Sequence, residues 1–545
     1  MGAQMAAALS HASAVVDEPA HLTAGYLALA TGDFAVNREH PPLVKLLAAL
    51  PLLRLAPALP AAPAMDRRGE DFEFAYSRAF LYEANDADRL LNAARLPIVA
   101  LTMLLAAAAW LWGLRLLGNI PALAVLAWIA FEPNLLAHGR LVTTDAAAAT
   151  FTLLFFASLE RAMDGAHRRL FIGLAGSALG LALLSRYSCA LLVPLAGVSL
   201  AIETRRTVRE RIGILLAALG TGLLVLNAFY LAATGSLGGA PFPLAASAGA
   251  PMQSEPLVSM ESDPVMRWAP IPVPRLWLEG LDLARWKNLH VEGPGYLNGE
   301  FSAKGWWSYF LIALGMKMTI PSIVASLLGI VLALRGLVSR DAGSRTLVAW
   351  VLAPAMGLIL LVTALTKAQI GLRYVLPAIP LLCLVAALPF TRIPDLGRWR
   401  LVAAVLATLT LQWHTATSLR VHPYHLAYFN EAAGGPDRGH THLVDSNLDW
   451  GQDLVGVKRF MEREGLDGIN LYYFGTADPA YYGIVRWVPP RPGYYAVSAT
   501  HLAGVYLPDR DYLAPFRGMT PVASIGHSIL VYQVPQVPAF LTTPP

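Results

Sequence analysis

Asp17 and Glu18 are two adjacent acids near the start of the chain, in the segment DEPAHLTAGY. A carboxylate within hydrogen-bonding reach of a hydroxyl can take its proton as a new bond forms, so the pair is a candidate general base or acceptor-orienting group. In the alternative interpretation, Asp17 caps a helix that begins near Pro19, with proline at the first helical position. The local pattern leaves both interpretations open.

A second polar group comes from Glu39, His40 and Lys45 in the segment REHPPLVK. The double proline stiffens the chain ahead of an amphipathic segment. The polar side chains are therefore candidates for a wall beside a phosphate or a sugar. The alternative is an interfacial helix whose lysine extends its charge towards water.

A third acid, Asp145, stands at the mouth of an apolar stretch in the segment HGRLVTTDAAAATFTLL. An ionisable group near the membrane interior is expensive, which indicates either a partner or a function. Arg140 precedes it in the same segment, and an Arg140–Asp145 ion pair is compatible with a functional role for the acid. Arg140 itself is a candidate binding residue.

The segment TKAQIGLRYVLPAIPLL contains candidate anion-binding residues, namely Lys367, Arg373 and Tyr374. A planar guanidinium forms paired hydrogen bonds to phosphate oxygens, so Arg373 is a candidate phosphate ligand. The alternative role for these residues is anchoring at the level of the lipid headgroups. Lys317, before another apolar stretch, is a further candidate.

The segment VDSNLDWGQDL has acidic and amide side chains at a spacing that resembles a calcium loop. Trp450 occupies the position that needs glycine in an EF-hand, and no glutamate closes the loop. A helix start capped by Asp449 explains the segment better. The two cysteines, Cys189 and Cys383, lie in apolar stretches, so no thiolate metal site or disulfide framework is indicated. We therefore name no metal ligand and no certain cofactor, and a divalent metal is possible but not indicated.

The elements that position these residues must be largely membrane-spanning helices. The 545-residue chain is 56% hydrophobic and 14% charged, whereas soluble proteins are roughly 45–50% apolar and about 25% charged. Its mean hydropathy is +0.49. A net charge of +4 without a basic arm or stripe gives no reason to expect a nucleic-acid partner.

Crossing a bilayer takes about 20 apolar residues, and we predict about 10–12 transmembrane helices. The candidate spans are 95–117, 120–137, 142–160, 170–185, 187–203, 212–233, 319–336, 346–366, 374–390 and 400–418. A short first helix is expected before Asp17, because the chain must cross once more if its N-terminus is cytoplasmic. Otherwise the true start of the chain lies upstream.

Loop charge predicts the orientation, because basic residues are enriched in cytoplasmic connections. One set of connections contains fourteen arginines: Arg115, Arg161, Arg168, Arg169, Arg205, Arg206, Arg209, Arg211, Arg335, Arg340, Arg345, Arg392, Arg398 and Arg400. The opposite short connections contain four basic residues: Arg140, Arg186, Lys367 and Arg373. The first set is therefore predicted to be cytoplasmic, and residues 17–94, 234–318 and 420–545 are predicted to be external.

We expect two domains, a transmembrane domain over residues 1–418 and a small external α/β domain over residues 419–545. In the second, INLYYFG, GYYAVSAT and HSILVYQV have the composition of strands, while QDLVGVKRFMERE has helical spacing. The loop 234–318 contains five tryptophans, which suit the headgroup region and predict a path along the membrane surface. They are Trp268, Trp277, Trp286, Trp306 and Trp307.

Seven segments, taken together and in order, resemble bacterial relatives of the protein O-mannosyltransferases. They are DEPAHLTAGY, GDF, EHPPLVK, RLVTTD, GLRYVLP, YHLAYFNEAAGG and DSNLDWGQDL. This branch of the GT-C superfamily also includes the aminoarabinose transferases of lipid A, and the resemblance covers nearly the whole chain. It implies a GT-C fold, a polyprenyl-phosphate sugar as donor, and inversion at the anomeric carbon.

The resemblance also implies site residues. Asp17 and Glu18 match the family's acid pair, and Asp145 matches the acid that opens the fourth helix. Glu39 and His40 match a polar pair that is an acid followed by lysine in the lipid A branch. The predicted catalytic residues are Asp17, Glu18 and Asp145, and the predicted substrate-binding residues are Glu39, His40, Lys45, Arg140, Lys367, Arg373 and Tyr374.

The sequence therefore predicts a membrane glycosyltransferase that moves one sugar from a lipid-phosphate carrier to an acceptor hydroxyl. The reaction is expected on the outer face of a bacterial inner membrane, with a glycan, lipid or protein as acceptor. One alternative is a lipid-linked sugar flippase or transporter, which should carry midplane charges and inverted repeats. The other is a non-catalytic subunit of a surface-polymer assembly complex, whose acid positions should tolerate neutral replacement.

Overall fold

The computed structural model describes residues 1–66, 69–234, 252–264, 271–290 and 295–537. Most of these residues are helical, and a small sheet lies near the C-terminal end. The prediction of a mainly helical membrane protein with a small sheet-containing C-terminal part is confirmed. Trp268, which the sequence predicts to lie on the membrane surface, is outside the described residues.

Short helices fill the chain before the first long apolar helix. They are α1 (Gly2–Leu9), α2 (Glu18–Thr31), α3 (Pro42–Ala49), α4 (Leu52–Leu55) and α5 (Glu70–Arg78), followed by a π-helical turn at Ala79–Glu83. Prolines in the first turns of α2 and α3 favour these starts, because the backbone of proline is pre-organised for a helix. Gly32, with φ of 74°, ends α2 in the left-handed conformation that glycine adopts without strain.

The next group of helices carries the first apolar spans. It contains α6 (Ala87–Leu117), α7 (Asn119–Ala130), α8 (Pro133–His138), α9 (Asp145–Ala162), α10 (Arg168–Ser185), α11 (Leu192–Ile202) and α12 (Val208–Thr234), with a 3-10 segment at Tyr187–Leu191 before α11. Helix α10 packs against both α9 and α12. Its approach to α12 needs glycine, since a Cβ at Gly176 would lie 2.4 Å from Cβ of Thr221.

The middle of the chain adds a hairpin and further spans. It contains α13 (Glu255–Ser262), α14 (Arg275–Leu289), the antiparallel strands β1 (Gly295–Leu297) and β2 (Glu300–Ser302), α15 (Tyr309–Lys317), α16 (Ile320–Val338), α17 (Ala342–Leu347), α18 (Ala353–Leu365), α19 (Ile379–Ala386) and α20 (Arg400–Val421). A π-helical turn at Val348–Leu352 joins α17 to α18, and 3-10 segments at Leu372–Ala378 and Leu388–Trp399 precede α19 and α20. Gly397, with φ of 51°, breaks the helical conformation ahead of α20.

Within the described residues, six helical segments are long and apolar enough to cross a membrane. They are Ala87–Leu117, Arg168–Ser185, Val208–Ala233, Ile320–Val338, Ala342–Leu365 and Leu372–Val421. Two shorter apolar helices, Asn119–Ala130 and Tyr187–Ile202, coincide with further predicted spans. Helix α9 also lies on a predicted span, but its 18 residues include Asp145, Glu160 and Arg161, which make it less apolar.

The C-terminal part contains one four-stranded sheet within the described residues. Its elements are α21 (Leu454–Glu464), β3 (Asn470–Tyr472), β4 (Gly493–Ser498), α22 (Ala499–Ala503), α23 (Ala514–Arg517), β5 (Ala523–Ile525) and β6 (Ile529–Val534). The strand order is β3-β4-β6-β5, with β3 parallel to β4 and the other pairs antiparallel. The three predicted strands and the predicted helix are present, whereas β5 and the β1–β2 hairpin are additional.

The predicted helix start capped by Asp449 is wrong. Helix α21 begins at Leu454, directly after Asp453, and Asp453 makes no capping hydrogen bond. The Asp449 carboxylate instead accepts a hydrogen bond from the backbone N–H of Thr500 at 2.9 Å. The segment before α21 is therefore tied to the start of α22.

Two polar clusters lie at opposite ends of α9. At its start, the backbone N–H of Val142 donates to Glu18, which pairs with Arg95 near the start of α6. At its far end, Glu160 pairs with Arg115 near the end of α6, at 2.9 Å. The two helices therefore run parallel, and the 20 residues of α6 from Arg95 to Arg115 separate the clusters by about 30 Å at a rise of 1.5 Å per residue.

Candidate active site

Asp17 occupies the N-cap position of α2, but its carboxylate makes no capping hydrogen bond. Its Oδ2 instead accepts a hydrogen bond from Nη1 of Arg373 at 2.8 Å. The side chains of Arg373 and Asp17 are 10% and 21% exposed, so the pair is largely shielded while the acid keeps an accessible edge. This arrangement favours the functional interpretation of Asp17 over the capping interpretation.

The charges around Asp17 favour its ionised form. Burial opposes ionisation, but the positive potential of Arg373 and the hydrogen bond that it donates outweigh burial and lower the pKa of Asp17 below its ordinary value. The acid is therefore a carboxylate near neutral pH, which is the state that a general base requires.

Glu18 is fully buried and forms an ion pair with Arg95, whose Nε and Nη2 donate to it at 2.8 and 2.6 Å. The backbone N–H groups of Val15 and Val142 also donate to this carboxylate at 3.0 Å. These four donors satisfy both oxygens, so the arrangement does not support the catalytic role expected for Glu18. It ties the loop before Asp17 to the start of α9 and makes Glu18 a positioning residue.

Asp145 is fully buried at the first residue of α9, where it pairs with Arg186. Nη1 of Arg186 also lies 3.5 Å from the backbone carbonyl oxygen of Arg373. The ring centroid of Tyr374 is 4.9 Å from Cζ of Arg186 and 5.5 Å from Cζ of Arg373. Asp17 and Asp145, from distant parts of the chain, are thus joined through one continuous set of contacts.

The Arg140–Asp145 ion pair, which the sequence leaves open as an alternative, is not formed. Nη2 of Arg140 donates to the backbone carbonyl oxygen of Pro423 at 3.1 Å, because the turn between α8 and α9 directs this side chain towards the end of α20. Arg186, which stands out in the sequence only as a loop charge, pairs with Asp145 instead. The side chain of Lys367 is exposed, which suits the alternative role of a surface anchor.

His21 and His40 lie beside Asp17. Nδ1 of His21 is 2.8 Å from the backbone carbonyl oxygen of Val142, and the two histidine ring centroids are 4.6 Å apart. Burial lowers the pKa of both histidines, so their rings are neutral near neutral pH. The sequence analysis does not single out His21, although its i, i+4 spacing from Asp17 is the signal for a shared helical face.

Glu39 and Lys45 belong to a polar network that holds the loop carrying His40. Nζ of Lys45 donates to the backbone carbonyl oxygen of Asn37 at 2.6 Å, and burial lowers the pKa of this lysine to about 8. Lys287 of α14 pairs with Glu39 at 3.2 Å. Both predicted binding residues therefore contact the protein itself and position His40 beside Asp17.

The segment 445–450 braces the chain around Arg373. Oδ1 of Asn447 accepts a hydrogen bond from the backbone N–H of Leu372 at 2.9 Å, and Oγ of Ser446 donates to the carbonyl oxygen of Ile370 at 2.8 Å. The ring centroid of Trp450 lies 4.3 Å from the guanidinium carbon of Arg373. These contacts fix both the backbone and the side chain of the arginine.

The next residues hold the chain that leads to Asp17. The backbone carbonyl oxygen of Trp450 accepts a hydrogen bond from the N–H of Val16 at 3.0 Å, and Oγ of Ser13 donates to the carbonyl oxygen of Gly451 at 3.0 Å. A single C-terminal segment therefore supports both partners of the Asp17–Arg373 pair. The sequence gives no signal for this role of Trp450.

We expect Trp450→Leu to lower kcat of the reaction proposed below by about 2- to 30-fold, which corresponds to the loss of one cation–π contact. Trp450→Phe keeps an aromatic face against Arg373 and should retain most of the activity. Steady-state kinetics of both variants separate kcat from KM, and thermal unfolding checks that both remain folded. Equal losses in the two variants would mean that the ring face does not position Arg373.

Residues 87–230 match the model of the family described as dolichyl-phosphate-mannose-protein mannosyltransferase. The matched segment extends from the start of α6 into α12 and contains Arg95, Asp145 and Arg186. Asp17 and Arg373 lie outside it. No curated protein sequence matches the chain.

Solved structures that align with the chain include the following three. ArnT from Cupriavidus metallidurans bound to undecaprenyl phosphate aligns at 14% identity and a TM-score of 0.46, over 99% of this chain and 97% of that chain. The apo form aligns at 14% identity and a TM-score of 0.44, over 97% and 95%. The apo oligosaccharyltransferase from Archaeoglobus fulgidus aligns at 12% identity and a TM-score of 0.42, over 75% and 50%.

The family match bears directly on the resemblance drawn from the sequence, because the matched residues include Asp145 and its partner Arg186. The predicted resemblance to the protein O-mannosyltransferases is confirmed. Over residues 87–230, this chain carries the sequence pattern of the dolichyl-phosphate-mannose-protein mannosyltransferase family.

Proposed function

We propose that the chain is an integral membrane glycosyltransferase that moves one sugar from a polyprenyl-phosphate carrier to an acceptor hydroxyl. The observation that carries this proposal is the convergence of two ion pairs, Asp17–Arg373 and Asp145–Arg186, at one end of the helical bundle. The match of residues 87–230 to a family named for a dolichyl-phosphate sugar supports the choice of donor.

In the proposed reaction, Asp17 takes the proton of the acceptor hydroxyl as the acceptor oxygen bonds to the anomeric carbon. The bond between that carbon and the phosphate oxygen breaks with its electron pair, and polyprenyl phosphate leaves. Because the leaving group is already a phosphate, it needs no protonating acid. Attack from the face opposite the phosphate inverts the anomeric carbon.

Two buried polar atoms remain available to the donor. Nε of Arg373 and Oδ2 of Asp145 have no hydrogen-bond partner among the described residues. In the proposal, Arg373 offsets the charge that gathers on the departing phosphate, and Asp145 holds sugar hydroxyls or stabilises positive charge at the anomeric carbon. Buried polar atoms without partners are costly, so a ligand that satisfies them is stabilised at this site.

We assign the site to the outer face of a bacterial inner membrane. The arginine-rich connections predict the opposite face to be cytoplasmic. Arg115 and Arg205, which both pair with Glu160, lie at the end of α9 opposite Asp145 and support this orientation. The acceptor is then a glycan, lipid or protein that is exposed outside the membrane.

The proposal is tested with purified protein and synthetic undecaprenyl-phosphate sugars. Envelope fractions serve as the acceptor. The natural acceptor is identified by comparing the envelope lipids, glycans and glycoproteins of a deletion strain with those of its parent. Mass spectrometry should detect a new glycoside together with released undecaprenyl phosphate. Movement of the intact lipid-linked sugar across proteoliposomes without either product would instead identify a flippase.

A further inference from the structure

The cluster of Asp17, His21 and His40 has the composition and size of a metal site. One ligand atom from each side chain lies within 4.8 Å of the others. Nitrogen and oxygen ligands lie about 2.0–2.2 Å from a zinc ion. Small side-chain rotations therefore suffice to close these three atoms around a single ion.

His21 is held in the tautomer that a metal ligand needs. Its Nδ1 lies 2.8 Å from the carbonyl oxygen of Val142, so this nitrogen carries the proton and donates it. Nε2 then carries the lone pair, and it is buried with no hydrogen-bond partner in the part of the chain that the structure describes. Metal-binding histidines commonly donate their second ring nitrogen to a carbonyl or carboxylate oxygen in this way.

Asp17 and His40 complete the set from two other directions. Oδ2 of Asp17 is engaged by Arg373, which leaves Oδ1 for a second partner. The ring of His40 meets that of His21 at an interplanar angle of 80°, so the two rings approach from different directions rather than stacking. His21 and Asp17 lie four residues apart on α2, while His40 comes from the loop before α3.

We infer that Asp17, His21 and His40 bind a divalent transition metal, with Zn²⁺ as the best fit. Two nitrogen ligands among three disfavour Mg²⁺ and Ca²⁺, which prefer oxygen. Three protein ligands leave one position of a tetrahedral ion open, as in catalytic rather than structural zinc sites. The open position accepts a ligand from the substrate.

The role of the ion rests on the proposed function. A phosphate oxygen of the donor takes the open position, and the ion adds its charge to that of Arg373 as the phosphate leaves. The cations Arg373 and Lys45 nearby repel an ion that is bound alone. Zn²⁺ and the lipid phosphate therefore favour each other's binding, since such coupling is reciprocal.

The test measures metal binding by the purified full-length protein and needs neither donor nor acceptor. The protein is stripped with a chelator, dialysed and titrated with ZnCl₂ by calorimetry, and bound zinc is then counted by elemental mass spectrometry. The variants are His21→Gln and His40→Gln. The matched control is His501→Gln, which alters a histidine of α22 that packs against Phe474.

We expect one zinc ion per chain in the wild type and in the control, and a loss of affinity of about tenfold or more in each site variant. Thermal unfolding confirms that each variant is folded. Equal zinc binding by all four proteins, or none by the wild type, would overturn the site. Sugar transfer by a protein that binds no zinc would overturn the zinc site but not the proposed function. Zinc binding without any transfer would count only against the proposed function.

Discussion

Replacing Asp17 with asparagine is expected to lower the rate of sugar transfer by about 10²–10³-fold. Asparagine keeps the size of the side chain, but it cannot take the acceptor proton or balance the charge of Arg373 2.8 Å away. The loss should fall mainly on kcat, because proton removal belongs to the transition state rather than to donor binding. Initial rates at saturating undecaprenyl-phosphate sugar, followed by mass spectrometry, give the measurement.

Asp467→Asn is the matched control for this variant, since Asp467 is an exposed acid in the turn before β3. It should transfer sugar at the normal rate. Normal transfer by Asp17→Asn would remove the assignment of Asp17 as base. An unchanged zinc content in the same protein would attribute the loss to the base alone, whereas a lower zinc content would show that a metal ligand is lost as well.

Replacing Glu18 with glutamine should destabilise the fold by about 3–5 kcal/mol, because it leaves the charge of Arg95 buried without its partner. The two side chains are 0% and 1% exposed, so water cannot take over the lost interaction. The expected result is a lower Tm in detergent. Thermal unfolding monitored by intrinsic fluorescence gives the measurement.

A double variant separates the buried charge from the size of the side chain. Glu18→Leu combined with Arg95→Leu removes both charges, and it should be more stable than Glu18→Leu alone. Glu462→Gln, which breaks the exposed pair with Lys458 at 3.6 Å, is the matched control and should cost less than about 1 kcal/mol. Equal losses of unfolding free energy in Glu18→Gln and Glu462→Gln would show that the buried Glu18–Arg95 pair contributes no more to stability than the exposed pair.

The sequence predicts elements well where hydrophobic pattern and local chemistry agree. The strands β3, β4 and β6 lie inside the segments that alternation and aromatic content identify, because one face of each strand must enter the small C-terminal core. Helix α9 is predicted as a span although Asp145 and Glu160 reduce its hydropathy. Those acids do not expel it from the bundle, because each is buried beside an arginine.

The sequence predicts only part of the candidate site, because the residues that contact each other there come from distant parts of the chain. Asp17, Asp145 and Arg373 are predicted and are brought together, but the sequence offers Arg140 as an alternative partner of Asp145 only because the two are close in the chain. The true partner, Arg186, lies 41 residues further along the chain. Trp450 escapes prediction for the same reason, since only the folded chain brings its ring onto Arg373.

The parallel helices α6 and α9, with ion pairs at both ends, set the bilayer thickness that the protein fits. The side chain of Arg115 is 28% exposed and cannot slide into hydrocarbon without exposing charge to lipid, whereas the Glu18–Arg95 pair at the other end is shielded inside the protein. The interval of about 30 Å between Arg95 and Arg115 matches the hydrocarbon thickness of a typical bilayer, which is also about 30 Å. Under the proposed function, acyl chains of matching length would hold the phosphate of the carrier level with Asp17, whereas longer chains would lift that phosphate away from the carboxylate unless the bilayer thins around the protein.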